Sequence, residues 1–215
     1  MQEFVTVTGI IIKSENIGEY DRRIVILTKE RGKIAAFAKG SRKPTSMLLA
    51  ATSPFSYGEF KMFEGRTSYN LMEVNIQNYF EALREDFEGA YYGMYFLELM
   101  DYYTRENNDE VEFLKLLYQS LRALSSNKLN KKLVRSIFEI RAVAAGGEFP
   151  GVSTEERLQE STVYAIEHIA FSPIEKLYTF TVSDEVLEEL KKAAKKYQGR
   201  FTDRKFKSLE IIDNL

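Results

Sequence analysis

The chain of 215 residues contains no cysteine and a single histidine. Without thiols, no disulfide can form and no thiolate–metal site can be built. A Cys–His nucleophile is equally impossible. Any Ser–His–Asp triad would have to use His168, which falls inside an expected helix, where a lone histidine is usually structural. The phosphate-binding patterns G-x-x-x-x-G-K-[ST] and G-x-G-x-x-G are missing, as is the metalloprotease pattern H-E-x-x-H. Neighbouring carboxylates such as Glu85 with Asp86, or Asp109 with Glu110, point different ways on a helix and read as solvated surface. The most apolar longer run, "GAYYGMYFLELM" (89–100), is too short to span a bilayer and contains Glu98. The N-terminus carries Glu3 where a signal peptide would carry basic residues. Lack of cysteine suits a reducing cytosol. These absences point to a soluble intracellular protein and leave, as the enzymatic reading, a two-metal nuclease site built purely from carboxylates, which no spacing suggests.

What is present supports a folded chain of one or two domains. Apolar residues make up 44% and charged residues 29%, with a net charge of −2. Residues 1–79 read as strands. Segments 4–12, 24–27, 33–38, 55–63 and 68–76 are rich in Val, Ile, Thr and aromatics, and "KERG" (29–32) and "EGRT" (64–67) read as turns. In the last strand Leu71, Glu73 and Asn75 alternate with Met72, Val74 and Ile76. Five short strands with a longer, partly helical connection at 44–54 fit a small closed barrel such as the OB-fold, with an SH3-like barrel as the competitor.

After residue 80 the hydrophobic period becomes helical. Phe87, Tyr91, Tyr95, Leu99 and Tyr103 share one stripe, Phe113, Leu116, Leu117, Leu121 and Leu124 a second, and Leu133, Ile137, Ile140 and Val143 a third. "AAGGEFPG" (144–151) interrupts them, and a further helix is expected over 155–169. Ser183, followed by acids and then lysines, marks the start of another at 183–197. The expected architecture is α+β with two domains, a five-stranded OB-fold barrel over 1–79 and an α-helical domain over 80–215.

Charge is distributed unevenly. The barrel region holds 11 basic and 8 acidic residues, whereas 80–124 holds 4 basic and 10 acidic. Between Glu30 and Glu59 there is no acid at all, yet Arg31, Lys33, Lys39, Arg42 and Lys43 lie there. A second acid-free stretch from Phe113 to Phe138 holds Lys115, Arg122, Lys128, Lys131, Lys132 and Arg135. Basic loops are often plain solvated surface, but clustered Lys and Arg also attract polyphosphate chains through counterion release. Aromatics near the first stretch offer stacking faces, and Tyr57 or Tyr69 is the expected outward ring, because a phenol tolerates water.

Several segments together resemble the RecO family of bacterial recombination mediators. "GEYDRRIVILTKERGKIAAFAKGSRKPTS" (18–46) and "SPFSYGEF" (53–60) resemble its N-terminal barrel, "YFLEL" (95–99) its first long helix and "FKSLEIID" (206–213) its terminal helix. The resemblance implies an OB-fold followed by helices and no covalent chemistry. It further implies binding of single- and double-stranded DNA, strand annealing, and help in loading recombinase onto protein-coated single strands. The implied partners are RecR and the C-terminal tail of the single-stranded-DNA-binding protein, in a nucleoid-associated, cytoplasmic setting. Relatives commonly carry a four-cysteine zinc element where this chain reads "GGEFPGVSTEERLQESTV" (146–163), so that element is lost here.

On this reading Lys39, Arg42 and Lys43 form the DNA-binding core of the barrel. Arg22, Arg31, Lys33, Arg66 and Tyr57 are further candidates. Arg122, Lys131, Lys132 and Arg135, with Leu121 and Leu124, are the candidate surface for the acidic tail. An RNA-binding OB protein and a non-enzymatic interaction scaffold are the competing functions.

Overall fold

A computed structural model of the chain describes residues 3–65, 68–126, 128–152 and 157–214. Five strands come first: β1 (Glu3–Ile17), β2 (Asp21–Thr28), β3 (Gly32–Ala38), β4 (Tyr57–Glu64) and β5 (Tyr69–Asn78), with a short helix α1 (Leu48–Ala51) between β3 and β4. They close into a barrel in the order β1-β2-β3-β5-β4. All pairings are antiparallel except β3 with β5, which run parallel through Ala36↔Tyr69 and Phe37↔Asn70. This is the expected OB-fold, not an SH3-like barrel. The barrel is filled by Val7, Ile11, Ile24, Ile26, Ile34, Phe60, Met62 and Leu71, all buried.

β1 is longer than expected, because it serves two neighbours. Residues 3–10 pair with β4 and residues 9–17 with β2. The register shifts between Ile11 and Lys13, so Ile10, Ile11 and Ile12 are all buried, which strict alternation would forbid. Where the two pairings overlap, Gly9 faces Gly58 across β4. A Cβ on Gly9 would lie 2.3 Å from the Leu27 carbonyl oxygen, and one on Gly58 would lie 2.2 Å from that of Asn75. Only glycine permits so close an approach.

The alternation expected in β5 is overturned by a bulge. Met62 pairs with Leu71 and Lys61 with Glu73, leaving Met72 as the extra residue. Leu71 therefore shares the inner side with Val74 and Ile76, while Met72 turns outward at 53% exposure.

The helices that follow are α2 (Glu81–Glu85), α3 (Phe87–Tyr103), α4 (Val111–Ser126), α5 (Lys131–Ala145), α6 (Glu160–Phe171), α7 (Asp184–Phe201) and α8 (Lys207–Ile212). The chain divides into two compact units, Met1–Glu81 with Leu97–Leu114, and Ala82–Phe96 with Lys115–Leu215, so the three boundaries fall inside helices α2, α3 and α4. Within the first unit, the link after α3 lies on the β2–β3 turn. Lys33 N–H donates to the Arg105 carbonyl at 2.9 Å and Asn107 N–H to that of Arg31 at 3.1 Å. Gly32, at φ 63°, allows this, since a Cβ there would meet the Arg105 oxygen at 2.4 Å.

Within the second unit, Phe96 stacks on Phe138 with ring centroids 4.0 Å apart. Asp86 caps α3, its carboxylate accepting from Gly89 N–H at 3.0 Å. Ser183 caps α7, accepting from Val186 N–H, as its sequence position suggests. The stripe expected on α3 buries Tyr95 and Leu99 but leaves Phe87 exposed at the helix start. In the segment where the resemblance implies a zinc element, 146–163, Phe149 packs edge-on against Phe171 and Tyr197, and the Tyr197 hydroxyl donates to the Gly151 carbonyl at 3.4 Å. Residues 153–156 of that segment lie outside the described residues. Among the described residues no group of carboxylates or histidine could hold a metal, and no helix is long and apolar enough to cross a membrane.

Candidate nucleic-acid interface

Two chain reversals build the site. Gly18, just after β1, takes φ 55°, and Gly40, two residues past the end of β3, takes φ 64°. The Asp21 carboxylate accepts from Gly40 N–H at 2.7 Å, and Arg42 N–H donates to the Tyr20 carbonyl at 2.9 Å. The Arg42 guanidinium then donates to the Gly18 carbonyl at 3.2 Å. Lys43 Nζ hovers 5.9 Å from the centre of the Tyr20 ring. The β1–β2 turn and the loop after β3 are thus stapled together, with Lys39 and Lys43 exposed on the outside. Lys39, Arg42 and Lys43 have no carboxylate partner among the described residues.

The other expected DNA contacts are less available. Arg22 tucks inward, donating to the Leu49 carbonyl and the Thr52 hydroxyl at 2.7 Å each, and so holds α1 in place. Burial and the nearby Arg42 charge lower its pKa. Arg31 pairs with Glu64 at 3.2 Å and also donates to the Tyr69 hydroxyl. Burial opposes its charge, but Tyr69 and Glu64 outweigh that and raise its pKa. Lys33 is joined to Asp101 at 3.0 Å. The first acid-free stretch of sequence is therefore not acid-free in space. Arg66 lies outside the described residues.

Of the expected stacking rings, Tyr69 is 8% exposed and belongs to the barrel core, and Tyr57 is half-buried on β4. The outward rings of the barrel are Phe4, Tyr20 and Phe37, at 57%, 42% and 36% exposure. Tyr20 is the one stapled to the cationic loop. It was legible only as a ring at a turn, between Gly18 and two arginines.

On the second unit the expected apolar docking surface is absent, because Leu121 and Leu124 are 0% and 1% exposed and fill the core. Arg122 is exposed on α4 and donates to Gln119. Lys131 is held by Asp86 and Glu88 at 2.7 and 3.1 Å. Lys132 and Arg135 do come together, in a groove of about 800 Å³ that adds Lys191, Lys192 and Lys195 from α7, with Phe87 and Ile212 as apolar lining and Glu88, Glu139, Glu188 and Asp213 as acids. Glu188 holds Lys191 at 2.7 Å, which leaves Lys132, Lys192 and Lys195 as its cations without an ion-pair partner among the described residues. Arg135 is held there by Glu139 and Asp213, each at 2.9 Å. Burial opposes its charge, yet Glu139 and Asp213 raise its pKa. In the sequence the lysines of α7 read only as the C-terminal half of a helix.

Comparison with known proteins agrees with this architecture. The family model for the Recombination protein O N terminal matches residues 1–80, and that for the Recombination protein O C terminal matches residues 84–155. A DNA repair protein RecO from Acetivibrio thermocellus is 28% identical over 244 residues, covering 99% of this chain and 97% of its own. One from Alkaliphilus metalliredigens is 33% identical over 146 residues, 68% of this chain and 59% of its own. A third, from Clostridium novyi, is 25% identical over 239 residues, 96% and 93% of the two chains.

Proposed function

Because the chain belongs to the RecO family of DNA repair proteins, we propose that it binds single- and double-stranded DNA through the stapled loop of its barrel. In this reading it promotes annealing and helps load recombinase onto coated single strands in the cytoplasm. It does so by binding alone, without catalysis. The observation that carries the reading is the set of Lys39, Arg42 and Lys43, exposed or half-exposed and without carboxylate partners among the described residues. Such a set screens phosphates from the side and leaves base edges free, which is what two mutually repelling strands need in order to pair. Tyr20 adds a stacking face for one base.

The cationic groove of the second unit suits an acidic peptide ending in an apolar residue. Lys132, Lys192 and Lys195 offer charge that Glu188, engaged with Lys191, does not take up by an ion pair, and Phe87 and Ile212 offer apolar surface. The tail of the single-stranded-DNA-binding protein has that chemistry, and RecR is the further partner the family implies.

The test is a salt series of oligothymidylate binding. The wild type should weaken steeply as salt rises, and the Lys39→Glu/Lys43→Glu pair should bind weakly with a flatter slope. An unchanged slope in that variant would reject the loop as the DNA contact. Equal-sequence RNA, run beside it, separates DNA repair from RNA binding.

A further inference from the structure

The second unit carries another groove, of opposite character to the cationic one. It has a volume of about 680 Å³ and lies between α6 and the stretch that leads into α7. Its wall is aromatic. Tyr164 stacks on His168 at 6.1 Å, and Phe180 meets the same imidazole edge-on at 5.2 Å. Tyr164 is 71% exposed, unusual for so large a ring, and the His168 ring is fixed by a 3.0 Å contact between Nδ1 and the Ser172 hydroxyl. No lysine or arginine is among the described residues that line it, while Glu160 does line it. Ser183, at its other margin, is followed directly by exposed Asp184 and Glu185. Glu160 and Asp184 have no ion-pair partner among the described residues.

The floor adds a second feature. Residues 179–182 are neither helix nor strand, and among the described residues none of their backbone groups has a backbone hydrogen-bond partner. An unpaired backbone stretch beside a groove can accept an added strand from another chain, with side-chain pockets setting the choice of peptide.

We infer that this groove binds an extended peptide segment of a partner protein, pairing with the backbone of 179–182 and placing an arginine or lysine side chain against Tyr164, His168 and Phe180. The ring faces attract a cation, and Glu160 and Asp184 reinforce the preference. The same charges repel DNA and acidic tails, so two ligands of opposite sign are sorted to two grooves of one helical unit. This inference does not depend on where DNA binds.

His168 is the only histidine in the chain, so the Cε1–H of its imidazole gives one unambiguous signal in a proton–carbon correlation spectrum. The full-length protein is titrated with a short blocked peptide holding arginine between two valines, and with its twin holding glutamate instead. The His168 signal should move saturably with the arginine peptide and stay still with the glutamate twin. Tyr164→Ala and, separately, Glu160→Lys should each weaken the arginine peptide about tenfold. Both residues are exposed, so the fold should survive, which the unchanged remainder of the spectrum verifies. A still signal with arginine, equal movement with both peptides, movement with oligothymidylate, or wild-type affinity in both variants would each overturn the assignment.

Discussion

Lys33 Nζ lies 3.0 Å from an Asp101 carboxylate oxygen and also donates to the Asp101 carbonyl. Both side chains are less than a quarter exposed. A cation on the barrel is therefore spent on holding the end of α3 within the same compact unit. Replacing Lys33 by Met should lower unfolding stability by about 1–2 kcal/mol and leave DNA affinity unchanged. Chemical denaturation alongside a DNA titration reads both. A large loss of DNA affinity with intact stability would show that Lys33 faces the phosphates instead.

Tyr20 is expected to contribute through its ring. Tyr20→Ala should cost roughly 1–3 kcal/mol of single-strand affinity, whereas Tyr20→Phe should bind as the wild type does. The phenol itself is held by Glu19, which raises its pKa, and that hydrogen bond is not needed for stacking. Fluorescence anisotropy of a labelled oligonucleotide at fixed salt separates the two variants.

Gly9 and Gly58 should tolerate no side chain. Gly9→Ala would push a methyl group to 2.3 Å from the Leu27 oxygen, and the strain should destabilise the barrel by about 2 kcal/mol or more. The measurement is the midpoint of urea unfolding. Wild-type stability would mean that β1 and β2 can separate locally at no cost.

The pair of Asp86 and Lys131 sets a pH window. Burial alone would raise the Asp86 pKa, but Lys131 and the Gly89 N–H outweigh it and hold it below the ordinary aspartate value of 3.8. A depressed carboxyl contributes stability above that value and loses it as pH falls through the folded pKa. Burial would lower the Lys131 pKa, but Asp86 and Glu88 raise it above 10.5, so its contribution is complete below 10.5 and disappears as pH rises through the folded value. Asp86→Asn should accordingly flatten the acid limb of the stability profile below about pH 4.

In the segment 146–152, order is supplied by rings. Phe149→Ala should remove the contacts to Phe171 and Tyr197 and lower stability by about 1–3 kcal/mol. A chelator should leave the thermal midpoint of the wild type where it was, and a chelator-induced drop would reveal a metal held by other means.

Much of this architecture is written locally. The five strands and the long helices announce themselves through β-branched runs and helical stripes, and Ser183 through its cap. What local pattern could not show is what depends on distant chain. The phase of β5 reverses because Met72 bulges against Lys61 and Met62 on another strand. Arg31 and Lys33 stand in an acid-free stretch, yet Glu64 and Asp101 reach them in space. Leu121 and Leu124 resemble an exposed apolar face until the surrounding helices cover them. The loop cations Lys39, Arg42 and Lys43 keep no carboxylate partner among the described residues, because a turn that projects outward meets few distant acids.

The two-neighbour strand β1 also has a bearing on synthesis. As the chain leaves the ribosome, residues 9–17 can zip onto β2 almost at once, but Val5 must wait until Met62 has been made before it finds its mate. During that interval Phe4, Val5 and Val7 hang as an unclaimed greasy flap. The ring snaps shut only once β5 joins β3 to β4, and the nascent barrel is most open to stray pairing in the span between translation of Thr28 and translation of Asn78.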